Sequence, residues 1–378
     1  MAIVTRYFST TGAGAADGTS WANRAALFSA GNWSSVITGF AFNGADSLNC
    51  LIGTGSYTCS QELAAGLFAN PPSASDVNRL FLRNCDSSGN PVDPDPGWIS
   101  AEGAISTTLM PFINYTGAGS FANMLSVVWY GIRAETANND LCIGSALSVE
   151  KCYVKCTGSG AFVRPLYRCY NVKSSHAECT SSNYDSVWYS DENRLVYLTN
   201  TRLQGVTGTT NSRRGVFLTA FAPAFIVESC TIFGMGGVGV YVTGQSNVDL
   251  VSNCIINGCG SHGIEVNRST TAVANAAHVA NNMITNNGGW GANQSSSAGM
   301  LASNNRLRNN SSGNFTGMAN YPSDIANETA AGTDADEYVD AAGGDYRIKN
   351  TSTIWGKGYG VSDQPAAGGS TRGYIIGG

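Results

Sequence analysis

The residue types best suited to chemistry are concentrated in one stretch of the chain, Leu250–Val266. It contains Cys254, Cys259 and His262, whose sulfur and nitrogen atoms are ligands that zinc accepts. A zinc site needs further ligands at characteristic spacings, and the chain contains no CxxC pair. The sequence therefore predicts no metal site, and both thiols are expected to serve another purpose.

Carboxylates close to this stretch indicate a second chemistry. Clustered carboxylates can hold a calcium ion. The candidates are Glu228, Asp249 and Glu265, all expected to point outward, with Arg268 nearby. The alternative is that these scattered charges are solvated surface residues.

Composition excludes several classes of partner. Charged residues make up 12% of the 378 residues, hydrophobic residues 43%, and the net charge is −5. Such a chain presents no basic field for nucleic acid, and it contains no apolar run of about 18 residues that would predict a membrane span. Eleven cysteines, an odd number, predict reduced and buried thiols, and the N-terminus has no pattern of a secretory signal.

A glycine motif at residues 234–239 matches the GxGxxG fingerprint of dinucleotide sites. That fingerprint requires a helix after the glycines, whereas Val240-Tyr241-Val242 predicts a strand. The glycines are therefore expected to form turns, and no cofactor is predicted.

Short matching segments recur along the chain and indicate a repeat. Each begins with an aliphatic residue and has a small or amide side chain at its fourth position. The segments are Val149–Val154, Leu198–Leu203, Val227–Ile232, Val251–Ile256, Val279–Ile284 and Ala302–Leu307. From residue 198 onward they start 23 to 29 residues apart, and the gap of 49 before residue 198 leaves room for one degenerate repeat.

The repeat predicts a stack of β coils. A second short strand in the units, as in Gly239–Val242, alternates with period 2, and no helical pattern separates the units. Equivalent residues of successive coils then lie about 4.8 Å apart. The fourth positions are expected to form a buried ladder, and the residues before them a left-handed bend that asparagine tolerates. The ladder comprises Cys152, Thr201, Cys230, Cys254, Asn282 and Asn305, and the bend comprises Asn200, Ser229, Asn253, Asn281 and Asn304.

With this repeat the chain resembles right-handed parallel β-helix proteins of the pectate-lyase-like group, including phage tailspike and decoration proteins. Further similar motifs are Arg6–Ser9 and Asp17–Trp21 near the beginning, and Gly344–Ile348 and Ser352–Gly358 near the end. The resemblance implies an all-β fold, a right-handed single-stranded parallel β-helix with an N-terminal cap. It also implies that a pectate-lyase mechanism, if present, would use Glu228, Asp249 and Glu265 to hold Ca²⁺ and Arg268 as the base.

Four segments are expected along the chain. Residues 1–45 form an N-terminal cap with a short helix around Ala25–Phe28, and residues 46–144 form irregular first coils. Residues 145–315 form the regular coils, and residues 316–378 form a C-terminal loop and a closing coil.

Some hydrolases of the same group carry a His-Gly pair and an Arg-Ile-Lys segment, here His262-Gly263 and Arg347–Lys349. Inverting hydrolysis also needs an acid and a base carboxylate. One repeat before His262 the outward positions are Tyr241 and Thr243, so the pair is missing and no catalytic residue is assigned.

The outward residues of the second strands are more informative. Phe217, Tyr241 and Glu265 are expected to form a column flanked by Thr243 and its equivalents. Such a column suits sugar stacking, contact with another copy of the chain, or cover by a loop, and these alternatives stay open.

The favoured hypothesis is a non-enzymatic phage virion protein, assembled in the host cytoplasm as a decoration, fibre or spike subunit. Its expected partners are two further copies in a homotrimer, other virion proteins and host surface polysaccharide. The alternative is a tailspike-like polysaccharide lyase or glycoside hydrolase.

Overall fold

The computed structural model describes most of the chain. The described residues are 2–42, 46–68, 70–72, 79–137, 141–158, 163–181, 184–191, 194–207, 213–219, 224–243, 249–267, 277–295, 299–316, 328, 332–354, 357 and 359–360. They belong to two compact units, the first of residues 1–96 and 105–184 and the second of residues 97–104 and 185–378. The second unit therefore begins within the run predicted as regular coils, and the predicted segment boundaries stay a prediction.

The regular secondary structure of the first unit consists almost entirely of strands. They are β1 Ile3–Ser9, β2 Ala25–Ala26, β3 Phe28–Ser29, β4 Asn32–Trp33, β5 Ser47–Gly53, β6 Ser56–Cys59, β7 Leu63–Ala64, β8 Leu80–Cys85, β9 Phe112–Tyr115, β10 Ala122–Asn123, β11 Val127–Tyr130, β12 Arg133–Thr136, β13 Leu141–Glu150, β14 Tyr153–Cys156, β15 Arg164–Tyr167, β16 Cys169–Lys173 and β17 His176–Cys179. A one-turn helix, α1, spans Ser35–Thr38, and a 3-10 turn spans Ala65–Leu67. One parallel stack of this unit joins β5, β8, β11, β13 and β16. A second parallel stack, here called stack D, joins β6, β9, β12, β14 and β17.

The second unit contains three parallel stacks. Its strands are β18 Ser186–Ser190, β19 Val196–Thr199, β20 Arg202–Gln204, β21 Arg214–Leu218, β22 Phe225–Glu228, β23 Thr231–Phe233, β24 Val240–Val242, β25 Asp249–Ser252, β26 Ile255–Asn257, β27 Ile264–Val266, β28 Ala277–Ala280, β29 Met283–Thr285, β30 Trp290–Gln294, β31 Met300–Ser303, β32 Arg306–Arg308, β33 Gly313–Thr316, β34 Tyr338–Asp340 and β35 Asp345–Ile348, with helix α2 at Asp334–Glu337. Stack A joins β18, β21, β24, β27, β30 and β33. Stack B joins β19, β22, β25, β28 and β31, and stack C joins β20, β23, β26, β29 and β32.

The predicted interior ladder is present in the second unit. Thr201, Cys230, Cys254, Asn282 and Asn305 are all completely buried. The Asn282 side chain accepts a hydrogen bond from the Cys254 amide at 2.9 Å and donates to the carbonyl of Val251 at 2.9 Å. It also donates to the Asn305 side chain at 2.9 Å. The asparagine side chains thus provide hydrogen-bond partners for backbone groups that are buried away from water.

The predicted left-handed bend is confirmed as well. Its five members have φ angles between 45° and 59°, in the region that asparagine tolerates better than most residues. They are Asn200, Ser229, Asn253, Asn281 and Asn304. In the first unit Lys151 and Ser174 take the same conformation at φ 53° and 48°.

The missing repeat between residues 149 and 198 lies at Val172–Ser175. Val172 pairs with Val149 on the neighbouring strand, and the hydroxyl of Ser175 accepts a hydrogen bond from the Cys152 amide at 3.1 Å. Serine therefore continues the ladder where neither thiol nor amide is present.

The helix expected around Ala25–Phe28 was wrong. Ala25 pairs in parallel with Phe8, and Phe28 pairs with Trp33 across a tight antiparallel turn. Pairing of Ala25 and Ala26 with β1, together with the aromatic contact of Phe28 with Trp33, outweighs the helix preference of alanine. The helix forms later, at α1, where the Ser34 hydroxyl caps the Val36 amide.

The C-terminal region differs from the expected closing coil, because β34 and β35 form an antiparallel hairpin. Residues 332–354, here called the clasp, lie on the outer side of stack C. The outward residues Ile255 and Met283 pack there against Tyr338, Tyr346 and Ile348 of the clasp. A second covering segment, residues 97–104, adds Ala101 to the same apolar cluster.

The eleven cysteines are all buried free thiols, as the odd number and wide spacing predicted. Burial raises the pKa of Cys152 and Cys259 to about 12, so both stay protonated at neutral pH. No helix among the described residues is long and apolar enough to cross a membrane.

Candidate functional site

An aromatic column lies on the outer side of stack A. Tyr189 pairs with Phe217, and Phe217 pairs with Tyr241, so the three rings occupy successive strands. The ring centroids of Tyr189 and Phe217 are 5.1 Å apart, and those of Phe217 and Tyr241 are 5.3 Å apart. Glu265 and then Asn293 continue the column. The structure thus places Phe217, Tyr241 and Glu265 side by side, and adds Tyr189.

Arg214 lies over this column and was missed by the sequence analysis. Its guanidinium carbon lies 4.0 Å from the ring centre of Phe217 and 4.7 Å from that of Tyr241. The carboxylate of Asp185 accepts a hydrogen bond from the same guanidinium at 3.2 Å. Stacking and ion pairing together hold Arg214 flat, so the column offers a planar cation as well as aromatic rings. Arg214 stands three residues before Phe217, just as His262 stands three residues before Glu265. Alignment of the two repeats would therefore have placed Arg214 next to the column.

A row of short polar side chains borders the column on its other side. It consists of Thr219, Thr243, Asn267 and Ser295, which follow β21, β24, β27 and β30. The hydroxyl groups of Tyr189 and Thr219 lie 3.2 Å apart, and the Asn267 amide donates to the Tyr241 hydroxyl at 3.3 Å. Ser295 donates to Glu265 at 2.9 Å, whereas Thr243 donates to the carbonyl of Leu218 at 3.2 Å. The row orients the outer ends of the column.

His262 has a structural contact that limits its chemistry. Its Nδ1 accepts a hydrogen bond from the Trp290 amide at 2.9 Å. Burial lowers the pKa of His262 below its ordinary value, although the Glu265 carboxylate acts in the opposite direction. Protonation at Nδ1 would break the contact with Trp290, so acid weakens it. Arg347, the other half of the hydrolase-like pattern, lies in the clasp, where it pairs with Asp345 at 2.6 Å.

The expected carboxylate cluster does not form. Asp249 was expected to point outward, which was wrong: it pairs with Phe225 and Ala277 in a buried column. It lies two residues from Val251, which faces the core, and residues two apart in a strand share one side. Glu228 lies on stack B and Glu265 on stack A. Arg268 lies outside the described residues.

No group of three or more metal-ligating side chains occurs in the part of the chain that the structure describes. Cys254 and Cys259 face the interior, where their amides bond to the side chains of Asn282 and Asn287. Their role is to continue two buried ladders, the second of which passes through Asn287 to Asn310 at 2.8 Å. This second ladder was not predicted from the sequence.

A charged strip on the outer side of stack D was also missed. Arg133 forms an ion pair with Glu135 at 2.7 Å. Glu178 accepts a hydrogen bond from the Tyr153 hydroxyl at 2.5 Å and forms an ion pair with Lys155 at 3.2 Å. Glu135, Lys155 and Glu178 stand on successive strands, so the two carboxylates are about 10 Å apart, two strand spacings. Each carboxylate is thus paired with a cation, Glu135 with Arg133 and Glu178 with Lys155. The strip is therefore interpreted as a set of cross-strand pairs.

Comparison with known proteins agrees with this architecture. The family model "Right handed beta helix region" matches residues 131–312 and 215–362, which together cover more than half of the chain. The chain belongs to this family of right-handed β-helix proteins, and its fold is an all-β right-handed parallel β-helix. It is similar to the crystal structure of pectate lyase Pel9A, with a TM-score of 0.50 and 14% identity over 93% of this chain and 90% of that one. At this identity the similarity concerns the fold alone. No curated protein sequence matches the chain.

Proposed function

We propose that this protein is a structural subunit of a phage virion, a decoration, fibre or spike protein, that contacts host surface glycan through the aromatic column. The observation that carries the proposal is the line of Tyr189, Phe217 and Tyr241 on successive strands of stack A. Pyranose rings present apolar C–H faces that pack on aromatic rings, and hydroxyls that bond to side chains such as Asn267 and Glu265.

Binding rather than cleavage is proposed because the candidate carboxylates Glu228, Asp249 and Glu265 are not brought together. Glu228 and Glu265 lie on different stacks and Asp249 is buried. On stack D the two carboxylates are engaged by Arg133 and Lys155. The tailspike-like lyase or hydrolase is retained as an outcome of the test.

Assembly in the host cytoplasm is supported by the thiols. All eleven cysteines are free and buried, which suits a protein that folds in a reducing compartment. The other expected partners, further virion proteins, remain part of this proposal.

The test measures binding to capsular polysaccharide and lipopolysaccharide purified from the host bacterium. We expect Phe217→Ala and Tyr241→Ala each to weaken binding by about 10-fold, because each removes one stacking surface. Phe112→Ala is the matched control, since Phe112 is a half-buried aromatic residue on β9 of stack D whose ring lies under the Arg133 guanidinium, outside the aromatic column.

Three outcomes would contradict the proposal. The first is equal binding by the Phe217→Ala variant and the intact protein, and the second is no binding at all to either glycan. The third is release of reducing ends or unsaturated sugars, which would favour the enzymatic alternative. Mass spectrometry of purified particles tests virion membership separately.

A homotrimer is the proposed assembly. The outer side of stack B has an apolar column of Tyr197, Ile226, Leu250 and Leu301, interrupted by His278. Apolar side chains in register suit contact with other copies, which would leave the aromatic column on stack A free for glycan. We expect a trimer in sedimentation at micromolar concentration, and a shift toward monomer for Leu250→Lys but not for Phe217→Ala. A monomeric intact protein would contradict the assembly.

A further inference from the structure

The clasp contacts all five strands of stack C. These strands pair in one register, in which a single column of residues runs along the stack. The column consists of Arg202, Thr231, Ile255, Met283 and Arg306. Its two ends are four strand spacings apart, ~19 Å. Arginine occupies both ends, and each of the two arginines is bonded to the clasp.

At the first end, Arg202 joins strand β20 to both covering segments. Its guanidinium donates to the carbonyl of Gly344 in the clasp at 3.0 Å and to the carbonyl of Ser100 at 3.2 Å. The Tyr346 amide of the clasp donates in turn to the carbonyl of Ala101 at 2.8 Å. Arg202 is buried, so water does not compete for these bonds.

Between the ends, the clasp follows the next three strands in order. The ring centres of Tyr346 and Phe233, a residue of β23, are 5.3 Å apart. Tyr338 belongs to the same buried apolar cluster as Ile255 of β26. The hydroxyl groups of Tyr338 and Thr285, a residue of β29, lie 3.1 Å apart. Each coil under the clasp therefore has its own contact with it.

At the last end, two arginines of β32 bind carboxylates of the clasp. Glu337 accepts hydrogen bonds from Arg306 at 2.8 and 3.1 Å and also from Arg308. Asp334 accepts a hydrogen bond from Arg308 at 2.5 Å. The side chains of Arg306, Arg308 and Glu337 are at most 4% exposed. Separation of these partners would leave buried charges uncompensated, which fixes this end of the clasp on β32.

The clasp is also cross-linked within itself. Tyr338 pairs with Ile348 in the antiparallel hairpin of β34 and β35. The Lys349 amide donates to the carbonyl of Glu337 at 2.8 Å, and the Lys349 ammonium donates to the carbonyl of Ala335 at 2.5 Å. These bonds join the part of the clasp on β32 to the part on β20, so the clasp docks as one body.

Coils of a solenoid contact only their neighbours, so a bare stack opens from its end one coil at a time. A single body bonded to five successive strands connects coils that do not touch each other. We propose that the clasp is a brace, which makes the coils from β20 to β32 open in one step. The brace is independent of the glycan contact, because the aromatic column is on stack A.

The experiment is hydrogen exchange of the full chain under native conditions, followed by mass spectrometry and corrected for intrinsic rates. The amides of Ile255, Met283 and Arg306 each donate to a carbonyl of the preceding coil, so they report on three successive coils. We expect the peptides that contain them to exchange at one common rate in the intact protein, because these coils open together.

Arg202→Met tests the first end of the brace. It removes the donors to Gly344 and Ser100, and loss of hydrogen bonds to a charged group should speed exchange about 30-fold. We expect this increase at the Lys349 amide, beside the distant Glu337, as well as at the Tyr346 amide close to Arg202. The three coil amides should then exchange in sequence, with Arg306 first.

Gln204→Met is the matched control. Gln204 lies on the same strand as Arg202 and, among the described residues, forms no side-chain hydrogen bond with the clasp. This variant should exchange like the intact protein. Tyr338→Phe is a milder change at the centre of the clasp, and it keeps the test valid if Arg202→Met does not fold. It should speed exchange of the Tyr346 and Lys349 amides equally, by about 5-fold.

Three results would overturn the proposal. The first is faster exchange at Tyr346 but not at Lys349 in Arg202→Met or Tyr338→Phe, which would show that the clasp peels from one end. The second is exchange of the three coils one after another in the intact protein. The third is an equal increase in the Gln204→Met variant, which would show a general effect of substitution on β20.

Discussion

Replacing Asn282 by leucine is expected to lower the free energy of unfolding by about 4 kcal/mol, the largest effect of any single side-chain change considered. The substitution keeps the branching of the side chain but removes the acceptor of the Cys254 amide and the donor to the carbonyl of Val251. It also removes the donor to Asn305. Buried groups left without partners cost more than the hydrogen bonds gained in folding.

The measurement is urea unfolding followed by circular dichroism, in which the Asn282→Leu variant should unfold at a much lower urea concentration. Asn171→Leu is the control, since Asn171 is exposed and its side chain makes one hydrogen bond, to Ser148 at 3.3 Å. Asn282→Cys should fall between them, because cysteine occupies the same place at Cys254 and Cys230. If Asn282→Leu lowered the free energy of unfolding by less than about 1 kcal/mol, as an ordinary substitution does, the ladder hydrogen bonds would not be a main source of stability.

Gly239→Ala is expected to destabilise the protein by about 3 kcal/mol or more, although it adds a single methyl group. A Cβ atom at residue 239 would lie 2.5 Å from the carbonyl oxygen of Gly263 and 2.7 Å from a methyl group of Ile256. The same crowding recurs at Gly215, Gly263 and Gly291, so glycine is required by close approach of the next strand. Backbone atoms cannot move aside without breaking the parallel pairing of β24 and β27.

Gly66→Ala provides the control for this prediction, because nothing lies within 4 Å of a Cβ atom added there. It should change the stability by less than about 0.5 kcal/mol. Thermal unfolding of the two variants, measured side by side, distinguishes crowding from a general intolerance of alanine for glycine. Equal melting temperatures for the Gly239→Ala and Gly66→Ala variants would refute the argument.

The buried ladder positions could largely be predicted from the sequence alone. The fourth positions of the repeat were recognised because residues that stack on their own equivalents must be small, or must bond to one another. The same logic, applied with strict alternation, would have placed Asp249 inside, since it stands two residues before Val251. That error arose from treating a carboxylate as outward on chemical grounds, although position in the strand decides its side.

The outer faces were harder to predict. Phe217, Tyr241 and Glu265 could be aligned because their repeats have similar lengths. Arg214 and Tyr189 became visible as neighbours only when the strand register was known. The ion pair between Arg306 and Glu337 was invisible in the sequence, because the two residues are separated by 31 positions without a repeat pattern.

The sequence by itself determined the coil architecture, the buried ladder and the left-handed bends, because these depend on a local period that repeats every 23 to 29 residues from residue 198 onward. Tertiary structure alone decided that Ala25–Phe28 forms strands and not a helix. It also decided that the C-terminal residues lie on stack C as a clasp, and that Arg214 packs against the rings of Phe217 and Tyr241. The physical reason is that the periodic contacts join equivalent residues of neighbouring repeats, which the sequence shows directly. The aperiodic contacts depend instead on which surfaces the folded coils bring together.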